Sequence, residues 1–187
     1  MKEDGGMVGM GSSVVIVGYD PEWPLAFAAE RERLRGELGN AVERIDHVGS
    51  TSVPGMAAKP IIDIQISVEA FDPAERYHEP LLGMGYIHRP DDEPRHRFYK
   101  RELDDLTLFH VHVCESGKDW ESDHLLFREF LKAHPIIAEK YGDVKREAAS
   151  HFAADRDRYM DAKAPHLAGL MEEARRWFAS TTIHGLS

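Results

Sequence analysis

The chain has 187 residues, of which 42% are hydrophobic and 30% are charged, a composition that supports one well-packed globular domain and argues against disorder. Its 33 acidic and 23 basic residues give a formal charge of −10, so most of its surface repels polyanions. General nucleic-acid binding is therefore disfavoured, whereas a small anionic ligand requires only a local basic cluster.

The lone cysteine and the short apolar runs indicate the compartment. Cys114 cannot form an intrachain disulfide, and residues 14–17 are too few for a signal-peptide core or a membrane span. We therefore expect a cytoplasmic protein without membrane contact. We expect one domain over residues 14–178, a disordered Gly- and Met-rich leader at 1–13 and a flexible tail at 179–187.

The first third of the chain predicts a strand, a helix and two more strands. A strand at residues 14–17 precedes a helix that Asp20 caps and Gly39 ends. Strands at 42–48 and 61–68 flank a turn-rich loop at 49–55. Period two in the second of these strands places four apolar residues on one face and three polar residues on the other. The apolar set is Ile62, Ile64, Ile66 and Val68, and the polar set is Asp63, Gln65 and Ser67.

The rest of the chain predicts a short helix, an antiparallel meander and a helical end. The short helix begins at Asp72, and strands follow at residues 86–89, 95–101 and 106–114. Helices then begin at Asp123 and Pro135, and a last helical stretch reaches Phe178 with a break at Pro165. Together these elements predict an α+β domain with a mixed sheet and a helical C-terminal third.

The segment from His47 to Asp63 carries the strongest functional signal. It joins a strand, a Gly49-Ser50-Thr51 turn, Lys59 and an acidic residue on the next strand. Glycine lets the backbone approach a phosphate, hydroxyl and N–H groups donate to it, and a carboxylate can hold a bridging cation. The alternative is a solvated turn without a ligand, which is the commoner role of such sequences.

The same segment resembles the hallmark of the GrpB family, and further matches extend the resemblance over residues 14–177. These matches are Asp20-Pro-Glu-Trp23, Gly49-Ser50-Thr51, Pro54-Gly55, Lys59-Pro60, Asp63, Arg97-Phe-Tyr-Lys100, His110-Val-His-Val113, Trp120, Phe127-Arg128, His134-Pro135, Tyr141 and Tyr159-Met-Asp-Ala-Lys163. The resemblance implies a nucleotidyltransferase-like fold and a domain type also found fused to dephospho-CoA kinase. It further implies nucleotide or phosphate contacts at His47, Gly49, Ser50, Thr51, Lys59, Arg97 and Lys100.

The nucleotidyltransferase pattern that the resemblance implies has a Gly-Ser turn, an Asp-x-Asp or Asp-x-Glu pair on the next strand, and then a third carboxylate. The acidic positions of this chain depart from that pattern. Asp63 matches the first acidic position, but Gln65 occupies the second, and a neutral amide binds Mg²⁺ weakly. His110 and His112 stand where the third carboxylate is expected. We therefore expect Asp63, His110 and His112 to hold a divalent metal, with Asp63 and His112 as the catalytic pair. The metal would be Mg²⁺ or Mn²⁺, or Zn²⁺, since imidazoles favour transition metals. Alternatively, the two histidines only hydrogen-bond neighbouring strands.

The basic residues near position 100 divide between two faces of a strand. Alternation places Arg95, Arg97 and Arg101 opposite Lys100, so only one side can meet a ligand unless the strand is bulged. The alternative is a solvated basic edge that discourages strand aggregation. Arg128 and Lys163, on predicted helices, are expected to pair with nearby acids rather than contact a ligand.

Three functions remain open from the sequence. The first is metal-dependent transfer of a nucleotidyl group from a nucleoside triphosphate to a small acceptor. The second is a noncatalytic nucleotide-binding or accessory domain, favoured by Gln65 and by the fusion to dephospho-CoA kinase. The third is a metal phosphoesterase that uses the histidine pair. No pattern in the sequence indicates the oligomeric state.

Overall fold

The structure, a computed structural model, describes residues 13–90, 96–103 and 106–184. The helices and strands, in chain order, are α1 (Glu22–Leu38), β1 (Arg44–Val48), β2 (Ile62–Val68), α2 (Glu75–Gly83), β3 (Ile87–His88), β4 (His96–Leu103), β5 (Leu106–Glu115), α3 (Asp119–Ala133), α4 (Pro135–Phe152) and α5 (Arg156–His184). Some of the predictions fall outside the described residues. They concern nearly all of the expected leader, the end of the expected tail, Arg95 and most of the turn before it.

The five strands form one mixed sheet in the order β1-β2-β5-β4-β3. β2 and β5 run parallel, and the other neighbouring pairs are antiparallel, which confirms the mixed sheet and the meander. In the parallel pair, Asp63 lies beside His110 and Gln65 lies beside His112. This register brings the two polar faces predicted from alternation together on one side of the sheet.

Helices α1 and α2 cover the apolar face of the sheet. The isoleucines of β2 pack there with Leu34, Leu81 and the fully buried Tyr99. Complete burial of a large apolar side chain contributes about 1.5–3 kcal/mol, so each of these residues stabilises the packing of α1 and α2 on the sheet. The first turn of α1 is capped as predicted, because the Glu22 N–H donates to Asp20 Oδ1 at 2.9 Å.

Helices α3, α4 and α5 form a second layer with its own core on the polar side. Phe130, Leu131, Tyr141 and Ala174 are buried between them. α5 continues through Pro165, so the predicted break is wrong. The carbonyl that loses its hydrogen bond belongs to Asp161, which is exposed together with Pro165, so water can satisfy it.

Other boundaries also differ from the predictions: α2 begins at Glu75 rather than Asp72, and α5 ends at His184 rather than Phe178. Residues 14–17 do not form a sheet strand: Val17 makes an isolated bridge with Ala58, and the Val14 N–H donates to Ala153 O at 2.7 Å. The segment is thereby held between the loop that precedes β2 and the end of α4. α3 begins at Asp119 rather than Asp123. Within the described ranges, every helix is too short or too polar to cross a membrane.

Candidate functional site

The loop after β1 turns sharply against Asp63. Gly49 has φ of +68°, a conformation that favours glycine, and the Ser52 hydroxyl donates to its carbonyl at 2.6 Å. A Cβ on Gly49 would lie 2.3 Å from Asp63 Oδ2. The loop backbone and the carboxylate therefore converge as the sequence predicted, and Gly49 is required for their contact.

Asp63, His110 and His112 form a compact cluster of metal-ligand type. His110 Nδ1 and His112 Nε2 lie 3.1 and 3.6 Å from Asp63 Oδ1, and one potential ligand atom from each residue lies within 4.8 Å of the others. Burial alone would raise the pKa of Asp63, but hydrogen bonds from the two imidazoles outweigh it and lower that pKa well below its usual range. Asp63 is therefore a carboxylate at any ordinary pH.

The donors of this cluster fit a transition metal better than Mg²⁺. One carboxylate and two imidazoles are typical ligands of Zn²⁺ or Mn²⁺, whereas Mg²⁺ prefers oxygen. His112 Nδ1 lies 2.9 Å from His96 Nε2, and such an outer hydrogen bond orients the other ring nitrogen toward a metal. Asp63, His110 and His112 would hold the ion.

Gln65 does not join this cluster. Its side chain is fully buried, Nε2 lies 3.4 Å from Glu121 O, and Oε1 lies 3.1 Å from His124 Nδ1. With the amide oriented this way, the His124 Nδ1–H donates to Gln65. Burial lowers the pKa of His124 to about 3, so the ring is neutral. The residue at the second acidic position thus holds His124 instead of a cation.

A cavity of about 560 Å³ separates the sheet from α3, α4 and α5 and contains the loop and the metal-ligand cluster. Seven of the predicted site residues line it: Gly49, Ser50, Thr51, Lys59, Asp63, His110 and His112. The helices contribute a further basic and aromatic lining that the sequence did not assign to the site.

Lys145 on α4 reaches the loop from the helical layer. It is 3% exposed, and its ammonium donates to Ser50 Oγ at 2.8 Å and to Ala57 O at 2.5 Å. Burial lowers the pKa of Lys145 to about 7, and repulsion from Lys163 adds to this effect. Because the Ser50 oxygen accepts from Lys145, the single hydroxyl hydrogen of Ser50 can be donated to another group.

Lys59 and Lys163 meet at Tyr159. Their ammonium groups lie 4.4 and 5.5 Å from the centroid of its ring. Burial, together with the charges of Lys163 and Arg156, lowers the pKa of Lys59 to about 8. Burial also lowers the pKa of Lys163, while Asp63 opposes that shift. Within the described part of the chain, none of these three lysines forms an ion pair with a carboxylate.

Three predicted site residues lie outside the cavity. The His47 ring stacks on Phe27 behind the loop, and burial lowers its pKa to about 4. Arg97 lies on the opposite face of the sheet, where it donates to the Tyr77 hydroxyl at 2.6 Å. Lys100 is on the histidine side of β4 but pairs with Glu102 and does not line the cavity.

Thr51 lines the cavity, yet its hydroxyl is occupied within the loop. It donates to Ile61 O at 3.3 Å, and His47 Nε2 lies 3.0 Å from the same oxygen. Since the hydroxyl hydrogen is used at Ile61, the His47 N–H donates to Thr51. Both residues therefore fix the shape of the loop, and neither group is available to a ligand in this arrangement.

The two helical cations singled out from the sequence differ in their placement. Arg128 donates to His47 O at 2.9 Å and pairs with Glu129, which confirms the predicted pairing with an acid. Lys163 was expected to pair with an acid, and this expectation is wrong, because it faces the cavity. A signal was present: Lys145 and Lys163 each follow a tyrosine by four residues, Tyr141 and Tyr159, on an otherwise apolar helix stripe.

Comparison with known proteins identifies the family. The family model described as "GrpB protein" matches residues 13–173. The chain belongs to the GrpB family. A GrpB-family relative, the UPF0157 protein YqkA of Bacillus subtilis, is 35% identical over 164 residues, which cover 88% of this chain and 48% of YqkA. A dephospho-CoA kinase of Mycobacterium leprae is 33% identical over 194 residues, covering 89% of this chain and 47% of that protein. The chain thus spans about half the length of either relative.

Solved structures confirm the fold. The crystal structure of GrpB from Enterococcus faecalis superposes with a TM-score of 0.81 at 29% identity and covers 88% of this chain and 99% of that one. The Cid1 poly(U) polymerase with MgGTP bound gives a TM-score of 0.50 at 14% identity and covers 72% of this chain and 45% of that one. The GrpB fold is therefore nucleotidyltransferase-like, as the resemblance implied.

Proposed function

We propose that this GrpB-family domain binds a nucleoside triphosphate together with a divalent transition metal. The observation that carries the proposal is the group of three lysines that line the cavity, of which Lys145 is buried and Lys59 and Lys163 are partly buried. Their pKa values are depressed, and none of them has a paired carboxylate within the described residues. Buried like charges are costly unless a counter-charge is present. A polyphosphate would supply that counter-charge.

Each residue of the cavity has a distinct role in this proposal. Gly49 lets the chain approach the ligand, and Ser50 donates its hydroxyl hydrogen to a phosphate oxygen. Lys59 and Lys163, whose ammonium groups both lie close to the Tyr159 ring, neutralise the outer phosphates. A metal at Asp63 and the two imidazoles would stabilise negative charge on the phosphate chain.

The reaction that this arrangement suits is nucleotidyl transfer to a small acceptor. The cationic end lies beside the loop, and Asp63 lies next to Gly49, so the α-phosphate would sit near the metal-ligand cluster while the β- and γ-phosphates meet the lysines. The nucleotide-bound Cid1 neighbour supports the ligand class through its fold.

Calorimetric titration of the protein with ATP and Mn²⁺ tests the proposal. We expect saturable binding that Lys59→Met weakens by at least about tenfold, since it removes one charged contact. Lys140→Met is the matched control, because Lys140 is exposed on α4 away from the cavity. Absence of saturable heat with wild-type protein would reject the proposal.

A noncatalytic binding role is the second candidate, and the Gln65 arrangement favours it. Only one carboxylate is present in the candidate metal cluster, whereas two-metal phosphoryl chemistry uses several. Asp63→Asn separates the two functions. If the variant binds ATP as tightly as wild type and the cellular phenotype is unchanged, the domain is an accessory nucleotide sensor rather than a transferase.

A further inference from the structure

The cavity has an aromatic end that lies beyond the metal-ligand cluster. Along the parallel pair, Asp63 and His110 lie next to the Gly49 loop, and Gln65 and His112 come two residues later, about 7 Å farther along the sheet. His124 is bonded to Gln65 at this second level. The linear order is therefore the cationic loop end, then the metal-ligand cluster, then the aromatic end.

Trp120 is held in a fixed orientation at the aromatic end. Its ring stacks on His96 at a centroid distance of 4.2 Å with 14° between the planes, and it meets the edge of His124 at 4.0 Å. Phe127 lies one turn of α3 after His124. These three side chains line the cavity and are partly exposed, so part of their apolar surface can be reached by a ligand.

The charge at this end is low compared with the lysine end. Gln65 places a neutral amide where the nucleotidyltransferase pattern has a carboxylate. Asp123 and Arg175, which also line the cavity, pair with each other at 2.7 Å. An uncharged planar ring suits such a surface, because stacking on aromatic side chains requires no counter-charge.

We propose that Trp120, His124 and Phe127 form a subsite for the nucleobase of the bound nucleotide. This inference rests on the proposed nucleotide function and assigns the base its location. The base stacks at the aromatic end, its phosphates extend past Asp63 to the lysines, and Gln65 acts as a positioning residue that holds His124 in the wall of the subsite.

Comparison of ATP with inorganic triphosphate tests the subsite, with both titrated in Mn²⁺ by calorimetry. Stacking of one base predicts that wild-type protein binds ATP about 10- to 100-fold more tightly than inorganic triphosphate. Trp120→Leu should remove this advantage and leave the affinity for inorganic triphosphate unchanged, whereas Trp120→Phe should retain much of it. Trp177→Phe is the control, since Trp177 packs in the helical core and does not line the cavity.

The outcomes separate this inference from the function on which it rests. If both ligands bind wild type equally well, or if Trp120→Leu weakens both to the same extent, the base subsite is overturned while the phosphate site stands. If neither ligand binds, the proposed function itself fails. Tryptophan fluorescence gives an independent check: ATP should quench emission in Trp177→Phe and not in Trp120→Phe.

Discussion

The buried charged side chains on the two faces of the sheet differ in their partners. On the face covered by α1 and α2, the buried carboxylate of Glu30 accepts hydrogen bonds from Arg33, Arg101 and the Tyr86 hydroxyl. On the face covered by α3, α4 and α5, the buried ammonium of Lys145 donates to a hydroxyl and a carbonyl and meets no carboxylate among the described residues. Glu30 thus has its counter-charges within the fold, whereas the counter-charge of Lys145 would come from the polyanion that we propose as ligand.

Removal of the Glu30 carboxylate, on the face covered by α1 and α2, should have the largest effect on stability. Glu30→Gln leaves Arg101 and Arg33 without their common carboxylate. Water can partly solvate these arginines, which are 25% and 47% exposed, so we expect a loss of about 2–4 kcal/mol in the free energy of unfolding, somewhat less than for a fully buried pair. Urea denaturation measures it. Glu129→Gln is the control at a surface pair and should cost less than about 1 kcal/mol. Equal effects of the two substitutions would refute the contrast between buried and surface pairs.

Gly49→Ala should damage the ligand face at its tightest contact. Both the positive φ and the overlap with Asp63 oppose the methyl group, so we expect a loss of about 1–3 kcal/mol and impaired Mn²⁺ binding in a calorimetric titration. Gly55→Ala separates these causes, because Gly55 has φ of +79° and open space around its Cβ position. The Gly55→Ala control should lose some stability but bind Mn²⁺ normally. A normal Mn²⁺ affinity in Gly49→Ala would contradict the assigned contact between Gly49 and Asp63.

The depressed pKa of Lys145 should also make the stability of the protein depend on pH. Lys145 has a folded pKa of about 7, against about 10.4 for an unfolded lysine. Between these values the unfolded chain binds more protons, so stability rises with pH, at most by about 1.4 kcal/mol per pH unit for this group. Urea denaturation from pH 7 to 9.5 should show a shallower rise for Lys145→Met than for wild type, and parallel curves would rule out this source of the slope.

The smallest effect should be a gain in stability at the expense of binding. Lys163→Met replaces a partly buried ammonium beside Tyr159, which forms no ion pair within the described residues, with an apolar side chain. We expect a gain of up to about 1 kcal/mol in the free energy of unfolding. Binding of ATP should weaken at the same time. Thermal unfolding with and without ATP measures both, and a destabilised Lys163→Met would mean that this lysine is part of the fold.

Local patterns predicted the five strands of the sheet, the loop and the convergence of Asp63 with the two histidines, although the strand predicted at residues 14–17 does not form. Alternation in two strands fixed which side chains share a face, and the parallel register then placed Asp63 beside His110. Alternation also separated Arg97 from Lys100 correctly, although family resemblance had favoured both for the site. The alternation of side chains along each strand was therefore enough to predict which residues meet on two neighbouring strands.

The helical contribution to the site could not be predicted in the same way. Lys145 reaches Ser50 across 95 residues of sequence, and this contact depends on how α4 packs over the sheet rather than on any local pattern. The role of Gln65 was equally hidden, because its partner His124 lies 59 residues away on α3. Long-range packing determines which polar residue on a helix becomes part of a cavity.

Proton uptake on ligand binding tests most directly the claim that the lysine cluster is a polyanion site. Calorimetry with inorganic triphosphate at pH 8, in buffers of different ionisation enthalpy, counts the protons that binding takes up. A bound polyanion should restore the charge of Lys59 and Lys145, so we predict an uptake of about one proton, which disappears in the variant carrying both Lys59→Met and Lys145→Met. Binding without proton uptake, or no binding at all, would contradict the account.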